Sequence, residues 1–156
     1  MTIDEKILIN NLIEKYANIM LRCAYSYCGN QADAEDVIQE VFIKYMRKSP
    51  IFKDDNHEKA WFLRVTINTA KDYANSFWYR RTEGINENIP SENKDEIDIW
   101  ELVRKLPQKY RIVIQLFYQE GYSIKEISSI LKLRASTVGT QLDRARGLLK
   151  KMSKEE

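Results

Sequence analysis

Histidine is almost missing from this sequence: His57 stands alone, and there are only two cysteines, Cys23 and Cys28. No HExxH motif and no Cys/His cluster can be assembled from so few ligands, and no glycine-rich phosphate loop is present. His57-Glu58 reads as the start of a helix rather than as a catalytic pair. An enzyme, a cofactor and a metal are therefore not expected. The cysteines lie five residues apart in a helical pattern, which fits neither a zinc site nor a disulfide framework, and both read as buried or half-buried thiols. No apolar run reaches the roughly 18 residues of a membrane span. The N-terminus, MTIDEKILINN, has two acids before any apolar stretch and no cleavage site, unlike a signal peptide. The chain is expected in the cytoplasm, without membrane insertion.

What the sequence does contain is helix-forming and charged. Its 156 residues are 44% hydrophobic and 31% charged, enough for one medium domain or two small ones. The net charge of +2 conceals a segregation. Residues 1–43 carry 3 bases and 7 acids, net −4, and residues 44–82 carry 9 bases and 4 acids, net +5. Residues 83–101 carry 1 base and 7 acids, net −6, and residues 102–156 carry 12 bases and 5 acids, net +7. Two basic blocks on either side of an acidic stretch suggest two contacts with a polyanion, although two solvated faces would look the same on charge alone.

The expected fold class is all-α, with two small helical domains. With 5 glycines and 3 prolines there are few breaks, and no strand alternation. A first helix from about Asp4 to Cys28 repeats Leu8, Leu12, Tyr16, Ile19, Cys23 and Tyr27 along one face, and Gly29 stops it. A second, from about Gln31 to Lys48, carries Ala34, Val37, Ile38, Val41 and Tyr45. After the loop Ser49–His57, Asp55 stands three residues before Glu58 as a capping pair for a long third helix striped by Ala60, Leu63, Ile67, Ala70, Ala74 and Phe77. Residues 83–97 have almost nothing to bury and read as an acidic linker. That gives one domain over residues 1–82 and another over 98–156. In the second, Trp100, Val103 and Leu106 mark a short helix. Pro107 opens the next one, with Ile112, Val113, Leu116 and Phe117 inward, and Gly121 closes it.

Ser123 and Glu126 form a capping box for a short helix, Ile124–Leu131. A four-residue turn, Lys132–Ala135, leads to a last helix with Val138, Leu142, Ala145 and Leu149 inward. Two short helices joined by a tight turn, the second one basic, make a helix-turn-helix. The outward face of the second presents Thr137, Thr140, Gln141, Arg144 and, further on, Lys151. These side chains suit base edges and phosphates.

In the first domain, Asp33, Asp36, Gln39 and Glu40 share one exposed helical face. Acids there would repel DNA, so a protein partner is expected. Arg64, Asn68, Lys71 and Asn75 recur at steps of four, three and four beside the apolar stripe, a row able to follow a DNA strand. Phe77, Trp78 and Tyr79 precede Arg80-Arg81, and aromatics among bases suit unpaired nucleotides, where stacking is worth about 1–3 kcal/mol per base. Of these, Phe77 fits the core stripe better, and Trp61, earlier on the same helix, also fits the core better than a reading role.

These residues carry a family resemblance. LPQKYRIVIQLFYQEGYSIKEISSILKLRASTVGTQLDRARGLLKK resembles sigma region 4, through Leu106-Pro107, Arg111, Val113, Tyr118, Gly121, Ser123, Glu126-Ile127, Thr137-Val138, Leu142 and Arg144-Ala145-Arg146. DAEDVIQEVFIKYMRK is similar to region 2.2, through Asp33-Ala34-Glu35-Asp36, Gln39-Glu40 and Phe42. AWFLRVTINTAKDYANSFWYRR is similar to regions 2.3 and 2.4, through Trp61, Arg64, Asn68 and Asp72. With no region 1.1 and no independent region 3, the pattern resembles the extracytoplasmic-function sigma factors.

The resemblance implies a transcription initiation factor. Asp33, Asp36, Gln39 and Glu40 would bind the β′ clamp helices of core RNA polymerase, whose β flap is a second expected contact. Arg64, Asn68, Lys71, Asn75 and Trp78 would bind the −10 element, and Thr137, Thr140, Gln141 and Arg144 the −35 element. Phe52, Asp54, Asp55 and Asn56 would line a pocket for a flipped −10 base. An anti-sigma factor is implied as a further partner. The last helix departs from the pattern. Lys132 replaces the usual turn glycine, and Arg134 stands where a Ser or Thr cap is common, so the helix is free to start at Ser136. Gly139, Gln141 and Asp143 replace residues usually basic or aromatic, which puts the usual −35 preference in doubt. The competing class is a stand-alone helix-turn-helix regulator dimerising through residues 1–82, which leaves the acidic face without a partner.

Overall fold

The computed structural model describes residues 1–80 and 99–154, with the side chains of 77–80 excepted. All regular structure among the described residues is helical, as the periodicity predicts. The chain divides into two compact units, Met1–Thr82 and Glu83–Glu156. The acidic stretch expected at residues 83–97 lies outside the described residues.

The first unit is a three-helix bundle of α1 (Ile3–Cys28), α2 (Gln31–Lys48) and α3 (Asp55–Arg80). Short polar residues set its helix starts. Thr2 and Glu5 form a reciprocal capping box at α1, with bonds of 3.1 and 3.2 Å. Asn30 caps α2 by accepting from Asp33 N at 2.8 Å. Gly29, at φ 78°, turns the chain between them and donates to Tyr25 O at 2.9 Å.

At α3 the capping residue differs from the expected one. The side chain that accepts is that of Asp54, from His57 N at 2.8 Å, and its carbonyl accepts from Glu58 N at 3.1 Å. Asp55, one residue later, is already helical. Glu58 is thereby free to tie α3 to α1. It accepts from Tyr16 Oη at 2.7 Å and lies 3.5 Å from Lys15 Nζ. Burial, and then this bond, push the Tyr16 phenol up to about 12, so it remains a donor at neutral pH.

The bundle core centres on Phe62, which is fully buried. Five rings surround it: Tyr16 and Trp61 at 5.0 Å, Tyr45 at 5.4 Å, Phe42 at 5.6 Å and Phe52 at 6.3 Å. Neither Phe62 nor the equally buried Met20 lies on the expected stripes, while Leu8, expected inward, is 49% exposed. Each helix packs against two others, so its buried arc is wider than one column of i+3 and i+4 steps. Leu8 lies on the part of α1 that precedes Leu12, the first buried residue of the helix. Cys23 is buried and Cys28 half-buried; neither forms a disulfide, and burial raises the Cys28 thiol to about 11.

The second unit is built of shorter pieces. They are α4 (Ile99–Arg104), α5 (Gln108–Ile114) running into a π-helical turn (Gln115–Gln119), α6 (Ile124–Leu131) and α7 (Ala135–Lys154). Arg111 fastens the first two, donating to the carbonyls of Arg104 at 3.0 Å and Leu106 at 3.3 Å at the end of α4. Ile112, Val113 and Leu116 are buried as expected, whereas Phe117 is half-buried because the wider π turn rotates it outward.

The expected capping box starts α6, with Ser123 and Glu126 bonded reciprocally at 3.1 Å each. The turn that follows is Lys132–Arg134, one residue shorter than expected. Arg134 O accepts from Val138 N at 3.1 Å, so α7 begins at Ala135 rather than Ser136. Lys132 sits at φ 54°, ψ 45°, the left-handed region that favours glycine. Lys132→Gly is expected to stabilise the unit by about 1 kcal/mol. The check is a denaturant titration in which the midpoint rises while the slope stays constant.

Candidate nucleic-acid interface

Three surfaces collect the residues singled out from the sequence. On α2, Asp36, Gln39 and Glu40 are exposed, one helical turn apart. Two apolar residues that sequence reasoning passed over extend the same face: Ile43 at 42% and Met46 at 41% exposed. Their signal was the continuing step of three and four from Asp36 through Gln39, Glu40 and Ile43. Carboxylates bordered by exposed aliphatic side chains suit a protein surface and oppose a phosphate backbone. Asp33 sits differently. It is half-buried in the cap of α2, where its Oδ2 accepts from Asn30 Nδ2 at 2.7 Å. Tyr73 of α3 donates to Asp36 Oδ2 at 3.2 Å; burial, and then this bond, push its phenol to about 12. Glu40 pairs with Lys44 at 3.8 Å, and Lys44 donates to the buried Thr69 hydroxyl at 2.9 Å.

On α3, Asn68, Lys71 and Asn75 are exposed and Arg64 is half-buried. Lys71 Nζ lies 6.0 Å from the centre of the Tyr27 ring. The fifth member expected there, Trp78, has its side chain outside the described part. The loop before α3 is only partly available. Phe52 packs its ring 5.4 Å from His57 and 5.9 Å from Trp61, and Asp54 is the cap. Asp55 and Asn56 remain exposed. Trp61 is half-buried, edge-on to Phe62 and Tyr45, and belongs to the core margin.

In the second unit the four expected residues of α7 come together. Thr137, Thr140, Gln141 and Arg144, with Ser136, line a cleft of about 240 Å³ whose other wall is Lys109 and Tyr110 of α5. The contribution of α5 was not legible in sequence, because α5 and α7 meet only through tertiary packing. Thr140 Oγ1 donates to Ser136 O at 2.9 Å and keeps its lone pairs for a donor. Gln141 Oε1 is buried with no hydrogen-bond partner among the described residues. Arg146 is not part of this face. It donates to Tyr118 Oη at 2.6 Å and to Asp143 Oδ1 at 3.1 Å, and its guanidinium lies 5.5 Å from the rings of both Phe117 and Tyr118. The Tyr118 bond is the main reason its already high pKa rises further. No helix of the described residues is long and apolar enough to cross a membrane.

Residues 12–79 match the family model Sigma-70 region 2, and residues 96–149 match that of Sigma-70, region 4. The ECF RNA polymerase sigma factor SigE of Mycolicibacterium smegmatis is 30% identical over 154 residues; the alignment covers 90% of this chain and 60% of that relative. RNA polymerase sigma factor SigV of Bacillus subtilis is 28% identical over 158 residues, with 97% and 95% covered. Among solved structures, the sigma factor RpoE of Bartonella quintana, in complex with the anti-sigma factor NepR, aligns with a TM-score of 0.72 at 19% identity, covering 94% of this chain and 96% of its own. CnrH, in complex with the cytosolic domain of CnrY, aligns at 0.68 and 22% identity, with 94% and 88% covered. At these identities the solved structures speak for the fold.

Proposed function

The chain belongs to the sigma-70 family, as an extracytoplasmic-function sigma factor with region 2 and region 4, and we propose that it divides promoter-directed transcription initiation among the three surfaces. Asp36, Gln39 and Glu40, with Ile43 and Met46, bind the β′ clamp helices of core RNA polymerase. Asp33 holds the helix start that presents them. The row Arg64, Asn68, Lys71 and Asn75, with Trp78, takes the melted −10 element. The cleft of Thr137, Thr140, Gln141 and Arg144 takes the −35 element, and the region 4 unit meets the β flap. Residues 1–82 and 98–156 act as the two domains and 83–97 as an acidic tether. The chain works in the cytoplasm as a binding factor and carries out no catalysis of its own. An anti-sigma factor restrains it, as NepR is bound to RpoE in the structure it resembles.

The observation that carries this assignment is the acidic, aliphatic-bordered face of α2, in the same chain as a helix-turn-helix. A stand-alone regulator has no use for it. The test is initiation in vitro from purified core polymerase, with and without the chain, on a promoter and on scrambled DNA. Promoter-specific transcripts are expected only with the chain. Arg144→Ala should lower the salt slope of promoter binding by about one if it contacts a phosphate, or cost about 1–3 kcal/mol of discrimination at one base pair if it reads guanine. Equal transcription from scrambled DNA, or none at all with core present, would remove the assignment.

A further inference from the structure

The cleft between α5 and α7 is chemically divided, and the division names a base. Lys109 and Arg144 bring cations to it, and Ser136, Thr137 and Tyr110 bring hydroxyls that can donate. These groups suit the oxygens of a phosphate backbone. Gln141 does not fit that pattern. Its Oε1 is a pure acceptor, shielded from solvent and with no partner among the described residues. An acceptor that no described protein group satisfies calls for a donor, and a phosphate cannot answer it because it has only acceptors to offer. In the major groove the donors are the exocyclic amines of adenine and cytosine. The Gln141 amide is a donor and an acceptor side by side. Adenine matches both, with N6–H₂ for Oε1 and N7 for Nε2, whereas cytosine supplies the amine without the adjacent acceptor.

We propose that Gln141 is the base-reading residue of this cleft and selects an adenine in the upstream promoter element, while Lys109 and Arg144 hold the flanking phosphates. This rests on the assignment of the cleft to the −35 element and goes further by naming the base and the reader. Because Oε1 is shielded in the free chain, the side chain turns outward to meet the base. Turned outward, the amide pairs both of its groups only on DNA that presents the amine beside an acceptor. Lys109 enters as a phosphate contact from a helix outside the helix-turn-helix.

The experiment uses holoenzyme assembled from core polymerase and the full chain, and a promoter library randomised across the upstream element. Wild type should prefer adenine at one position by about 10- to 100-fold, the range of one good bidentate pair. Gln141→Ala should level the preference at that position alone. Gln141→Glu should move it to cytosine, since a carboxylate accepts from the cytosine amine; a change of preference cannot come from lost folding. Lys109→Ala should weaken every sequence alike and reduce the salt dependence. If both Gln141 variants keep the wild-type profile while Lys109→Ala still weakens binding through the upstream element, Gln141 is not the reader and the −35 assignment stands. If no variant changes the use of the upstream element, the −35 assignment falls with it.

Discussion

Replacing Asp36, Gln39 and Glu40 together by alanine is expected to lower the affinity for core RNA polymerase by about 100-fold or more. That figure follows from a few well-placed residues carrying most of an interface, with the strongest worth about 2 kcal/mol or more each. All three side chains are exposed, so their removal leaves no cavity. Among the described residues, the fold loses only the 3.2 Å bond from Tyr73 to Asp36 and the 3.8 Å pair of Glu40 with Lys44. Exposed contacts of this kind contribute about 0–1 kcal/mol. The measurement is a competition for limiting core enzyme against a second sigma factor, with a thermal melt of the variant alongside. Loss of binding with a near-native melt is the expected pair of results. A triple variant that still displaces the competitor at wild-type concentrations would move the polymerase contact elsewhere on the molecule.

The largest effect on stability is expected at Phe62→Ala. Phe62 is fully buried and ringed by Tyr16, Phe42, Tyr45, Phe52 and Trp61. Truncating such a residue costs about 3–5 kcal/mol. For a unit of this size the whole folding free energy is of order 4–12 kcal/mol, so much of the margin would go. Trp61, whose ring centre lies 5.0 Å from that of Phe62, gives a local signal. A chemical-denaturation curve followed by tryptophan emission should show its midpoint fall sharply. A variant with an unmoved midpoint would mean that the six rings do not act as one core.

The contrast between Phe62 and the acidic face shows which parts of the molecule were legible in sequence. The extent of α2, Gln31–Lys48, was readable because each end is marked in the sequence, by the Gly29 stop before it and the loop from Ser49 after it. The helix-turn-helix was readable through the Ser123–Glu126 box and the buried Val138, Leu142 and Ala145. Phe62 was not, since a stripe drawn through Leu63 and Ile67 leaves its neighbour off the line, while packing on two sides brings it to the centre. Asp54 and Asp55 are equivalent in sequence, and only the hydrogen bond to His57 N distinguishes the cap. The same limit applies to the DNA face. Composition makes Arg144 and Arg146 alike, but Tyr118, 28 residues earlier, occupies Arg146. Lys109 and Tyr110 entered the cleft by the packing of α5 on α7, which no local pattern reports.

The beginning of α1 has a consequence for how the first unit opens. Before Leu12 no side chain of this helix is buried, and only Ile9 is half-covered; Ile3, Ile7 and Leu8 face solvent. These turns are held by their own backbone ladder and by the Thr2–Glu5 cap rather than by the bundle. They form a fraying segment that melts and re-forms at a free energy well below that of global unfolding. The first 11 residues can therefore lose their helix while Phe62 and its rings stay in place, giving the unit a soft leading edge on a rigid body.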